Sequence, residues 1–114
     1  MQRDREYLTD ILEAAKIVLD YVCGMDKNEF LGDLQCQDAV IRRLEIMGEA
    51  ARRISVKTHE ECPDFPWTDL IGMRNIMIHE YDDVDLHIVW ETIHCDLPPL
   101  IDGIGDILQT LELP

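Results

Sequence analysis

The chain has 114 residues, 46% hydrophobic and 30% charged, with 24 acidic against 10 basic side chains and a formal charge of -14. That length and composition describe one folded domain over residues 1–114 and exclude a disordered tail. The charge argues against broad electrostatic capture of nucleic acid, which draws on Lys and Arg, so RNA or DNA would need a local cationic patch and a basic partner is an equally natural ligand.

Leu8, Ile11, Leu12, Ala15, Val18, Leu19 and Val22 fall on one helical face, and Gly24 is placed to end that first helix. A short acidic stretch, MDKNEFLGD, follows as a connection. Asp33 can then cap a long second helix reaching roughly Lys57, with Val40, Leu44, Met47, Ala51 and Ile54 as its apolar stripe. CPDFP at 62–66 is a natural break, and Trp67 begins a third helix whose first turn holds Thr68 and Asp69. Asp82 or Asp83 can cap a fourth helix with Leu86, Val89, Trp90, Ile93 and Leu97 inside. Pro98 and Pro99 should end it and start a fifth, carrying Leu100, Ile104, Ile107 and Leu111. No strand-period run competes, so the expected fold is all-α, an up-and-down bundle of about five helices. Trp67 and Trp90 sit at core spacing and read as packing anchors.

The apolar runs are far shorter than the roughly 18 residues a bilayer span needs, and Met1 is followed by QRDREY, so a cytoplasmic protein without a membrane partner is expected. Cys23, Cys36, Cys62 and Cys95 form no C-x-x-C pair, which leaves buried free thiols as the expectation and speaks against a zinc or redox motif.

The third helix carries MRNIMIHEY at 73–81, where Arg74, Asn75, His79 and Tyr81 interrupt an apolar run, and no Lys or Arg occurs after Arg74. The residue types suit phosphodiester cleavage without a metal. Histidine can take a proton from a ribose 2′-hydroxyl or give one to a leaving oxygen, and arginine offers a permanent charge to phosphate. Arg74 and His79 stand about 140° apart around a straight helix and about 7.5 Å along it. A twofold dimer that abuts two such helices would supply two of each group. Glu80, Asp82 and Asp83 would favour a protonated imidazole if they lie close. Spacing alone favours a surface Arg paired with those acids and a partly buried, hydrogen-bonded His.

Two further sets carry open alternatives. His87, Glu91 and His94, with Asp83 a turn earlier, could hold a divalent ion or form a solvated polar face. Arg42 and Arg53, eleven residues apart on the basic second helix, could extend a phosphate track or pair with Glu45 and Glu49.

AVIRRLEIMGEAARRIS at 39–55, PDFPWTDLIGMRNIMIHEYDDVDLHIVWETI at 63–93 and DLPPL at 96–100 together resemble the HepT-like family of small HEPN-domain proteins. Its core motif, Arg-x4-His-x-Tyr, falls on Arg74, His79 and Tyr81, with Asn75 as the polar residue after the arginine. The resemblance implies the toxin of a toxin-antitoxin module, a homodimeric, metal-independent endoribonuclease without a cofactor, acting on mRNA or tRNA. It implies Arg74 and His79 as the catalytic pair, Asn75 as their support, and a minimal nucleotidyltransferase antitoxin as partner, with Tyr81 the acceptor of adenylyl groups. The acidic balance keeps a second reading alongside: a non-catalytic dimer that is substrate and scaffold for that nucleotidyltransferase.

Overall fold

The computed structural model describes residues 3–72 and 85–112, and these are all-α. Helix α1 spans Asp4–Tyr21, α2 Lys27–Leu31, α3 Leu34–Arg53 and α4 Val56–Glu61. Helix α5 is described over 67–72, and α6 spans Leu86–Glu91. A π-helical turn over Thr92–Asp96 leads directly into α7, Leu97–Glu112. No described helix is long and apolar enough to cross a membrane.

The expected stripes of the two long helices form the core. Leu8, Ile11, Ala15 and Val18 of α1 lie against Val40, Leu44, Met47 and Ala51 of α3, all with no exposed surface. Each Leu, Ile, Val or Met among them contributes about 1.5–3 kcal/mol on burial, so truncating Leu44 would cost about 2–5 kcal/mol. The two helices run antiparallel. Asp4 at the start of α1 meets Ser55 just beyond α3, whereas Tyr21 at its end lies beside Cys36 in the first turn of α3. Between them Gly24 adopts φ +77°, the left-handed geometry that glycine enters without steric penalty.

Several local expectations need correction. The MDKNEFLGD stretch is not merely a connection. Asp26 accepts the Glu29 amide at 2.8 Å while the Glu29 carboxylate accepts the Asp26 amide at 3.0 Å, a reciprocal cap that closes a turn of helix and buries Phe30. Buried Gln37 then donates to the Phe30 and Leu31 carbonyls at 2.9 and 3.0 Å, satisfying the end of α2 from α3.

Helix α3 stops at Arg53, four residues short of Lys57, because Ile54 is extended at φ -67°, ψ 141° and Ser55 caps a new helix through Thr58 N–H. The stop is fixed from across the molecule. The buried Asp4 carboxylate accepts the Ser55 amide at 2.9 Å, its hydroxyl at 2.6 Å and the Thr58 hydroxyl at 2.5 Å.

Pro98 and Pro99 do not break the helix. The preceding turn widens instead, so that the Leu97 N–H reaches the Thr92 carbonyl five residues back. A wider turn makes room for proline rings against the carbonyls four residues earlier. Val89, Ile93, Leu97, Leu100, Ile104 and Ile107 form one buried stripe straight through it. Leu111, expected on that stripe, is 39% exposed. With α6 and α7 joined through the π turn, the described helices number six, in keeping with the expected all-α bundle of about five.

The thiols are free, but none is fully buried: Cys23 and Cys95 are exposed and Cys36 and Cys62 half-buried.

Candidate functional site

Arg74, Asn75, His79 and Tyr81, together with Asp82 and Asp83, lie outside the described residues. Both flanks of that segment are described. On the near side, residues 62–66 make the elbow from which α5 starts. Trp67 donates its indole N–H to the Cys62 carbonyl at 2.9 Å, and its own amide reaches the Phe65 carbonyl at 2.8 Å. Its ring is held on two sides, by His59 at 4.5 Å between centroids and by Phe65 at 4.5 Å. Phe65 in turn sits directly on the backbone of Gly103 in α7, where a Cβ would come within 2.9 Å of its ring. Trp67 is 7% exposed and Leu70 wholly buried, so the first turn of α5 is fastened to the core before the motif begins. Trp90 is also a packing residue, half-buried against Phe30 at 5.4 Å.

On the far side, α6 is capped by Asp85, whose carboxylate accepts the His87 and Ile88 amides at 2.9 and 3.4 Å. Among the described residues this is the cap, where Asp82 or Asp83 was expected.

Between α5 and the π turn lies a cleft of about 430 Å³. Thr68, Asp69 and Gly72 form one wall, and Thr92, Asp96 and Leu100 the other. Asp69 and Asp96 are exposed, and no described wall residue is a cation. The described part of these walls offers phosphate no cationic partner.

The described cations of the second predicted helix sit elsewhere. On α3, Arg42 lies 3.6 Å from Glu45, and Arg53 and Arg52 both meet Glu49, at 3.2 and 2.7 Å. With side chains 71% and 56% exposed, Arg42 and Arg53 are held only by solvent-screened pairs worth about 1 kcal/mol or less. Neither belongs to the walls of the cleft.

His87, Glu91 and His94 do not assemble into a ligand set, and no group of three metal-binding side chains occurs among the described residues. Glu91 meets its i+4 neighbour Cys95, with Oε2 and Sγ 3.7 Å apart. His94 instead turns back onto Trp90, its ring centroid 4.0 Å away and Nδ1 2.9 Å from the Trp90 carbonyl. Nucleophilic thiol chemistry is disfavoured too. Desolvation by its immediate neighbours first, and then the charge of Glu91, raise the thiol of Cys95 above its ordinary value although that residue is exposed, and burial and Glu61 do the same to half-buried Cys62.

One functional-looking group escaped the sequence: Asp4, a buried carboxylate. Burial alone would raise its pKa, but hydrogen bonds from Ser55 and Thr58 and the nearby His59 together hold it below the usual carboxylate value. Its partners stand 51 and 54 residues away, and no local pattern announces them. It is a structural clasp between α1 and the α3–α4 connection.

Comparison with known proteins points one way. The family described as ribonuclease HepT-like matches residues 11–107. A candidate RNase of Methanocaldococcus jannaschii is 40% identical over 96 residues, covering 84% of this chain and 88% of its own. A protein of Thermococcus cleftensis named probable ribonuclease HepT is 38% identical over 84% of this chain and 87% of its own. A candidate RNase of Caldanaerobacter subterraneus is 36% identical over 96% of this chain and 97% of its own. No solved structure matches at a comparable level of significance.

Proposed function

The chain belongs to the ribonuclease HepT-like family, and from that premise we propose that it is an endoribonuclease, the toxin of a toxin-antitoxin module. The observation that carries the reading is the match over 11–107, which contains the whole Arg-x4-His-x-Tyr run from Arg74 to Tyr81. Arg74 holds the scissile phosphate. One His79 takes the 2′-hydroxyl proton as that oxygen attacks phosphorus, and the His79 of a second copy protonates the departing 5′-oxygen. Asn75 supports the pair, and the chemistry needs no metal.

The described structure supports this in one respect. No described residue of the cleft beside α5 is a cation, so phosphate capture in this reading falls to Arg74. Regulation falls to Tyr81. A nucleotidyltransferase antitoxin adds adenylyl groups to its hydroxyl, and their charge and bulk exclude RNA. The same acidity favours a second reading, a scaffold that binds the nucleotidyltransferase without cutting RNA.

Expression in cells decides between them. Wild-type chain alone should arrest growth and cleave cellular RNA, and both Arg74→Ala and His79→Ala should remove cleavage while folding is retained. Absence of cleavage by the wild-type chain would leave the scaffold. Co-expression with the nucleotidyltransferase should add mass in adenylyl steps, and Tyr81→Phe should abolish them.

A further inference from the structure

The cleft between α5 and the π turn does not end there. At Pro66 and Pro99 it meets a second cleft of about 390 Å³ that continues past Phe65 and Gly103 to Ile107. The two make one groove along the α6–α7 helix from Thr92 to Ile107, about 22 Å at the helical rise per residue. Its floor is apolar: Phe65, Pro66, Pro99, Leu100 and Ile107. Among the described lining residues the charged groups are all of one sign. Glu61 and Asp64 stand at one end and Asp69 and Asp96 at the other, all exposed, with no ion-pair partner among the described residues.

An apolar floor between carboxylate rims selects its occupant by charge complementarity. RNA would set phosphates against four carboxylates. A second copy of this chain, itself at -14, would set acid against acid. We propose that the groove docks a basic segment of a partner protein, with its apolar side chains on Phe65, Pro66, Pro99 and Leu100 and its Lys or Arg heads among Asp64, Asp69 and Asp96. Some 22 Å accommodates about six or seven extended residues or four turns of helix. The basic heads reach the rims while their stems lie on the floor. This inference stands on the groove alone and holds whether or not the chain cuts RNA.

The test uses the full chain and a fluorescein-labelled peptide of four Leu-Arg-Lys repeats, followed by anisotropy at physiological salt. Asp69→Asn/Asp96→Asn should weaken binding roughly tenfold, since the carboxylates lie in the groove itself. Glu13→Gln/Asp20→Asn, an equal charge change on the exposed side of α1, should alter it less than about twofold because solvent ions screen distant charges. Replacing every Leu of the peptide by Ser should also weaken binding, and amide shifts on titration should centre on Gly72 and Gly103. Equal loss in the two double variants would show only a diffuse field and overturn the proposal. So would indifference to the Leu→Ser change, or a dimer that Asp69→Asn/Asp96→Asn dissociates.

Discussion

The imidazole of His59 lies on the indole of Trp67, centroids 4.5 Å apart and planes 23° from parallel. This contact ties α4 to the first residue of α5, and so to the segment that carries Arg74 and His79. Its Nε2 is buried without a hydrogen-bond partner, so the ring acts here as a flat packing surface. His59→Phe keeps that surface and removes the stranded nitrogen. Urea unfolding should show it equal to or more stable than the wild type, whereas His59→Ala should lose about 1 kcal/mol or more.

Asp4 makes stability depend on pH in one direction. Despite burial, its hydrogen bonds to Ser55 and Thr58 hold the folded pKa below the unfolded value of about 4. Its contribution is therefore complete above the unfolded pKa and is lost as pH falls through the folded one. Asp4→Asn should cost about 1–3 kcal/mol near neutrality, because an amide cannot accept all three donors. The gap between variant and wild type should close on acidification, as read by thermal unfolding from pH 7 to pH 2.

Gly103 admits no side chain without displacing Phe65. A Cβ there would lie 2.9 and 3.0 Å from two ring carbons, so Gly103→Ala should destabilise by about 1–3 kcal/mol. Adding Phe65→Leu should recover part of that loss, which a purely helical effect of alanine would not. If the elbow aims the motif, Gly103→Ala should also slow RNA cleavage at temperatures where the fold is intact.

The proline pair sustains the π turn. Pro98→Ala/Pro99→Ala restores two amide donors inside a continuous helix, where each proline costs up to about 3 kcal/mol. The double variant should therefore unfold at a higher temperature than the wild type. It should also reshape the groove that Pro99 lines and weaken the basic peptide described above.

The two antiparallel long helices were legible because their apolar residues recur at helical spacing: Leu8, Ile11, Ala15, Val18 and Val22 and then Val40, Leu44, Met47, Ala51 and Ile54 are buried, with Leu12 and Leu19 half-buried beside them. The start of α5 at Trp67 was equally legible, since proline at 66 leaves little choice of where a helix begins. Helix α2 had a readable signal too, the Asp26 and Glu29 pair, but five residues are too few for an apolar period. The proline pair misled because a break is its usual meaning. The stripe from Val89 to Ile107 keeps a mean step of 3.6 residues straight through it and would have argued for continuity.

Sequence alone determined the helical class, the main apolar faces and the family to which Arg74, His79 and Tyr81 belong, because periodicity and motif are properties of neighbours along the chain. Only the tertiary structure decided where α3 stops, how α5 is seated and where the acidic groove runs. Each of these rests on partners far apart in sequence, Asp4 with Ser55, Phe65 with Gly103, and Asp69 with Asp96. No local pattern encodes such pairs, since they meet only when distant apolar faces are buried together.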